Sequence, residues 1–221
     1  MADLDFFFDP VCPWAWITSR WVTEVQQLRD YDVSWKFISL KMINQDSMDY
    51  SKMPAGYKEV HAAGTYGLRV AAKARSVAGN EAVAKVYTAL GTSLHNKQER
   101  ELFVADIEGH IAKLLVEAGL PAEWADAVND ETFDRLISDE TQIALERTGK
   151  DVGTPIITFN PGGVREGSFF GPVISTIPRG DEAVRLWDAI EVIATASGMA
   201  ELKRSLRARP SFDYHLLVLS L

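Results

Sequence analysis

Cys12 is the one cysteine among 221 residues, and its setting gives it chemistry. It lies between Phe8-Asp9-Pro10-Val11 and Pro13-Trp14-Ala15-Trp16, where an extended run ends and a helical periodicity begins. Proline at the first helical position loses nothing, because that N–H has no intrahelical partner. A sulfur just before it faces several unpaired backbone N–H groups and the positive end of the helix dipole. That placement is expected to favour thiolate and bring the thiol pKa below its free value of about 8.5, making Cys12 a nucleophile at neutral pH. A lone cysteine is more often a small buried apolar residue; the adjacent proline and helix start tip the balance to reactivity. A second element is Val152-Gly153-Thr154-Pro155, which leads into the apolar run at Ile156. Proline immediately before a central strand is unusual outside a specialised loop with a cis peptide. Only tertiary structure could bring it to Cys12.

The elements that must position these residues are readable from periodicity. Residues 4–8 read as a strand. Ile17, Trp21, Val25 and Leu28 recur at helical steps, and residues 33–40 read as a second strand. The opening is β–α–β with a crossover long enough for parallel strands. From about 42 to 149 nothing reads as a strand. Helical stretches are predicted at 66–78, 81–95, 102–118 and 131–148, with Gly79, Gly119 and Gly149 as terminators and Asn80 and Asp130 as N-caps. Residues 156–159 and 164–170 form a predicted hairpin around Asn160-Pro161-Gly162-Gly163. A helix containing Val184, Leu186, Trp187, Ile190 and Ile193 follows, then a basic helix over 201–207. The expected domains are 1–41 with 150–213, a helical insertion over 42–149, and an apolar tail over 214–221.

Composition sets the bounds. The chain is 47% apolar and 24% charged, with a formal net charge of −8. One domain of this length buries roughly 70% of its unfolded surface and needs no staple. The acidic balance argues against nucleic acid and anionic membrane surfaces as partners. One cysteine excludes a disulfide-framed secreted fold. With no signal-peptide pattern at residues 1–5 and no membrane-length apolar run, a cytoplasmic location is expected.

Phe-Asp-Pro-Val-Cys-Pro-Trp-Ala-Trp (8–16), Gly-Thr-Pro (153–155) and the helical insertion resemble the thioredoxin-fold proteins of the DsbA/FrnE type. More narrowly, residues 12–21, Phe-Phe-Gly-Pro-Val (169–173) and Ile-Pro-Arg-Gly (177–180) are similar to the actinobacterial mycothiol-dependent reductases, over about residues 3 to 213. The resemblance implies an α/β thioredoxin fold (β-α-β … β-β-α) with a large all-helical insertion. It implies that Cys12 is the attacking thiol of an oxidoreductase, that Thr154 and a cis Pro155 face it, and that Pro13 and Trp14 line the substrate site. It also implies that mycothiol, or alternatively glutathione, is a co-substrate rather than a tightly bound cofactor, and that nitro-compounds are possible acceptors. Low-molecular-weight thiols and disulfides are then the partners, for a monomer or homodimer. The sequence departs from the pattern at Ala15, the position of the resolving cysteine. The dithiol-like surroundings favour an engineered replacement that traps a mixed disulfide; the alternative is a naturally monothiol protein.

His95-Asn96 is the best polar pair in the insertion. In the resembling reductases such a pair can face the thiol cleft, so substrate positioning or proton transfer is one reading and a helix-terminal histidine is the other. Trp14 is expected at the lip of the site; Trp16, Phe6 and Phe8 are expected in the core. His61, His110 and His215 lack ligand-like spacing. Two rivals remain: a kappa-type glutathione transferase or isomerase, which typically carries Ser-Pro-Tyr where Cys-Pro-Trp stands here, and a redox-inactive binding protein.

Overall fold

A computed structural model describes residues 2–45, 48–53, 56–204, 206 and 208–212. Four strands form one sheet in the order β2-β1-β3-β4: β1 (Leu4–Phe8), β2 (Val33–Phe37), β3 (Ile156–Phe159) and β4 (Gly167–Phe170). β1 pairs parallel to β2, with Phe6 opposite Trp35. It pairs antiparallel to β3, with Phe6 opposite Ile157, and β3 runs antiparallel to β4. The parallel pair is possible because α1 (Pro13–Leu28) carries the chain back across the sheet.

Side-chain alternation along β1 divides the core. Leu4, Phe6 and Phe8 face the larger core, which includes Trp16, Trp21, Trp35, Phe37, Tyr87 and Trp187. The Phe8 and Tyr87 rings stack at 3.9 Å. α1 and α7 (Gly180–Thr195) meet there, and the Trp21 indole N–H donates to the Ala183 carbonyl. Phe7 points the other way, onto Ile38, Ala144 and Ile156.

No strand occurs between Phe37 and Ile156 among the described residues. The helices there are α2 (Leu40–Asn44), α3 (Tyr57–Gly91), α4 (Arg100–Ala105), α5 (Ile107–Glu117) and α6 (Asp134–Thr148). α6, grouped with the insertion on sequence grounds, is tied both to α3 and to the sheet. Its Glu140 carboxylate accepts from the Phe37 N–H and from Arg75 of α3, and its Arg147 donates to Asp5 of β1.

Several boundaries differ from the periodicity. The stretches 66–78 and 81–95 are separated at Gly79 as expected, where φ of 78° and ψ of −169° break the helical geometry, but the first segment begins earlier, at Tyr57, and the second ends at Gly91, followed by a π-helical turn at Thr92–Asn96. Asn80 does not cap a helix. Its amide accepts from the Trp35 N–H and donates to the Val33 carbonyl of β2, a tertiary pairing with no local signature. The stretch 102–118 is divided at Asp106, whose carboxylate caps α5 by accepting from the Gly109 N–H. β2 ends at Phe37 and β4 begins only at Gly167, because the Gly162 N–H and the Glu166 carboxylate lock the preceding turn. Residues 201–204 are not helical, which overturns the predicted basic helix in the described part of that run. The tail 214–221, with His215, lies outside the described residues.

α1 and α3 approach closely where Gly91 meets Trp16. A Cβ at Gly91 would lie inside the fully buried indole, and neither ring nor helix can retreat through a packed core. Gly91→Ala is therefore expected to cost at least about 2 kcal/mol, read as a lowered urea midpoint at unchanged slope.

Candidate active site

The site begins where β1 ends. Asp9-Pro10-Val11 turns the chain, with the Cys12 N–H donating to the Asp9 carbonyl, and Cys12 becomes the N-cap of α1. Pro13 occupies the first helical position, as expected. The sulfur accepts from the Ala15 N–H at 3.5 Å, and the Trp14 N–H also favours its charged form. On the other side the thiol donates to the Thr154 carbonyl at 3.3 Å. Thr154 is buried and its hydroxyl donates to the Phe7 carbonyl, so β1 itself fixes the loop opposite the sulfur. The Thr154–Pro155 peptide is cis. The fold thus brings together Cys12, Pro13, Ala15, Thr154 and Pro155, which the sequence separates widely.

The electrostatics differ from expectation. The helix N–H groups do lower the Cys12 pKa, but burial outweighs them and the neighbouring Asp9 charge adds to burial, pushing the thiol up to about 12. Only 5% of Cys12 is exposed. In this closed arrangement Cys12 is a neutral thiol, and the expectation of a depressed pKa is corrected: dipoles at a helix end cannot offset removal from water.

Asp9 follows the last residue of β1. Its side chain is fully buried. One carboxylate oxygen accepts from the Val11 N–H and the other from the Leu40 N–H, and burial still pushes its pKa up to about 6. α3 lies against this turn through two glycines. A Cβ at Gly64 would press on the Asp9 carboxylate, and one at Gly67 on the Pro10 ring and Leu90. Glycine inside a helix costs roughly 0.5–1 kcal/mol against alanine. Here each one permits backbone to approach the turn that carries the thiol.

His95 and Asn96 sit in the π-helical turn. His95 is 1% exposed. Its Nε2 pairs with the Pro10 carbonyl at 2.8 Å, two residues before Cys12, and burial lowers its pKa to about 4. It is therefore neutral at pH 7, with Nε2 the donor, and it braces the cysteine turn. Asn96 accepts from the Trp16 indole at 3.0 Å and donates to the Phe212 carbonyl at 2.9 Å. The Arg20 guanidinium lies 4.1 Å over the Trp16 ring. Trp14, expected at the lip, is half-buried against the core. His61 and His110 pair with Tyr50 and Ser93 within the helical layer. Of these, Arg20 and Phe212 carried no local signal; only the folded chain places them.

A β-α-β unit joined through helices to a β-hairpin and closing helix, with a cysteine capping the first helix opposite a cis-proline loop, defines the thioredoxin-fold thiol–disulfide oxidoreductases. Solved structures agree on the fold. The cytosolic disulfide reductase DsbM from Pseudomonas aeruginosa superposes with a TM-score of 0.58 at 15% identity, covering 86% of this chain and 98% of that one; the same reductase with GSH gives 0.57. The probable DsbA oxidoreductase SCO1869 from Streptomyces coelicolor gives 0.53 at 16% identity, over 92% and 94% of the two chains. The model of the Rv2466c-like family, described as mycothiol-dependent nitroreductase Rv2466c, matches residues 11–204. The chain belongs to that family and is an oxidoreductase. A curated relative, the uncharacterized protein Rv2286c of Mycobacterium tuberculosis, is 29% identical over 210 residues, covering 92% of this chain and 82% of that protein. Among the described residues no helix is long and apolar enough to cross a membrane.

Proposed function

We propose that this chain is a mycothiol-dependent reductase whose single thiol, Cys12, cycles through a mixed disulfide. The observation that carries the reading is the 3.3 Å contact between the Cys12 thiol and the Thr154 carbonyl, which fixes the sulfur against an extended loop. Opening of the site to an incoming disulfide hydrates the sulfur and releases its proton. The thiolate then attacks one sulfur of the disulfide, forming a Cys12 mixed disulfide and expelling the other half as thiolate. The backbone of Thr154 can pair with the conjugate like an added strand. With alanine at position 15, release comes from a second external thiol, which attacks the mixed disulfide and returns Cys12 reduced. For a nitro-compound the balance is Cys12–SH plus one thiol plus ArNO2, giving the mixed disulfide, ArNO and water; a second thiol regenerates Cys12. The family match supports mycothiol as that thiol; the GSH-bound reductase supports only a low-molecular-weight thiol more generally.

The test is intact mass after incubation with mycothiol disulfide or with glutathione disulfide. One mycothiol added on Cys12, with little glutathione addition, supports the reading; equal addition of both removes the mycothiol preference. Ala15→Cys bears on an engineered against a natural origin of the alanine. Residue 15 is one helical turn from Cys12 with its N–H on the sulfur. Ala15→Cys is expected to clear the mixed disulfide without added thiol, seen as loss of the adduct mass and of both free thiols. An adduct that persists would favour a chain built to work with one thiol.

A further inference from the structure

We propose that the apolar run Leu216-Leu217-Val218-Leu219 near the end of this chain docks in the groove between α1, α3 and α5 and covers that face from within the same molecule. The inference stands apart from the thiol chemistry and from the identity of the co-substrate.

The groove has a volume of about 460 Å³ and a mostly apolar surface. α1 contributes Arg20 and Thr23, α3 contributes Ala84 and Thr88, and the end of α5 contributes Leu114 and Ala118. Short side chains at 23, 84, 88 and 118 leave the space open. Its inner wall is fixed, because Arg20 donates to the Thr88 hydroxyl and lies over the Trp16 ring. The charges on the rim are matched to one another. Lys85 pairs with Glu81 at 3.4 Å and Lys97 with Glu117 at 3.8 Å. A space of this size with such a rim asks for apolar surface in its occupant, not for a net charge of either sign.

The chain supplies such a segment at the right place. Phe212 is the last described residue. Its carbonyl accepts from Asn96 at 2.9 Å, its ring stacks on His95, and the Ser211 N–H donates to the Ser175 carbonyl, so the chain is anchored up to that point. Asn96 is followed directly by Lys97 and closes the turn that begins at Thr92, and both of those residues line the groove. Ala84 lies twelve residues before Asn96, about 18 Å along the helix at roughly 1.5 Å per residue. An extended chain leaving Phe212 covers that span in about five or six residues, which brings 217 and 218 to Ala84. Residues 216–219 carry no ionisable group, and four consecutive aliphatic side chains left in water are uncommon on a soluble surface. A tether this short holds the segment at a roughly millimolar effective concentration, which favours the chain's own run over that of a second copy at micromolar concentration.

The experiment is the rate of iodoacetamide alkylation of a cysteine placed in the groove, in the full chain carrying Cys12→Ser so that it is the one thiol. Ala84→Cys is expected to react at least about fivefold faster once Leu216→Ser, Leu217→Ser, Val218→Ser and Leu219→Ser are added, because the cover is then lost. Thr23→Cys, on the α1 wall, reads the same effect if Ala84→Cys does not fold. Val192→Cys, exposed on α7, is the control and is expected to react at the same rate with either tail. A rate in the groove that the serine tail leaves unchanged would overturn the proposal. So would an equal acceleration at the control position, which marks a general loosening of the chain. Protection that is constant over about a hundredfold range of protein concentration supports the chain's own segment; protection that grows with concentration gives the groove to a second copy and overturns the intramolecular cover.

Discussion

Cys12→Ser is expected to form no covalent adduct with any disulfide and to lower thiol-exchange turnover at least about 10³-fold. The size follows from chemistry rather than packing. Serine keeps a donor to the Thr154 carbonyl and an acceptor for the Ala15 N–H, the two contacts the sulfur makes. An alkoxide at neutral pH is far rarer than a thiolate, and an oxygen cannot enter disulfide exchange. Stability should stay within about 1 kcal/mol of the parent, so loss of activity with an unchanged thermal midpoint isolates the chemical role. Residual exchange within tenfold of the parent would place the reacting group elsewhere, and no second cysteine exists to supply it.

Asp9→Asn should change both the reactivity of Cys12 and the pH dependence of stability. Burial raises the Asp9 pKa from 3.8 to about 6 in the folded chain, so the folded state holds a proton that the unfolded state has released between those values. Stability from the protonated carboxyl is fully present below about pH 4 and is lost as pH rises through about 6. One pKa unit corresponds to about 1.4 kcal/mol, so the loss is about 3 kcal/mol. Asparagine has no such titration and should flatten the profile between pH 4 and 6. It keeps only one acceptor oxygen for the two N–H groups of Val11 and Leu40, a cost of about 1–3 kcal/mol. The two variants should therefore be of similar stability at pH 7, with the parent ahead at pH 4. The Asp9 charge is also one reason the Cys12 thiol resists ionisation. Removing it is expected to speed alkylation by iodoacetamide at pH 7.5 by roughly three- to tenfold, as one pKa unit is a factor of ten in thiolate. An unchanged rate would mean that burial alone holds the proton.

What was legible in the sequence was mostly backbone. Proline writes its constraint locally, so Pro13 marked the start of α1 and Pro155 the loop before β3, whereas that the loop faces the thiol was only implied by the family resemblance and the bond to the Thr154 carbonyl had no signal in the sequence. Phe6 and Phe8 could be assigned to one face because strand alternation is rigid. The thiol's ionisation could not be read, because it depends on how much water reaches the sulfur and on a carboxylate three residues away whose burial is set by α3. The pair His95-Asn96 stood out by residue type, yet its bonds to Pro10, Trp16 and Phe212 connect segments that no spacing rule relates. Asp9 had the signature of a strand end and nothing more. Gly64 and Gly67 carry no signal of their own in the sequence, because the turn they accommodate is distant along the chain.

The pairing of Asn80 with β2 has one more consequence. β2 is the outer strand on its side of the sheet, and an outer strand ordinarily offers a ladder on which another chain can polymerise. The amide of Asn80 fills two adjoining rungs, at Val33 and Trp35, so a foreign strand meets a ladder already terminated there. A side chain borrowed from the kink that follows Gly79 thereby does the work of an end-stop against cross-molecular sheet growth.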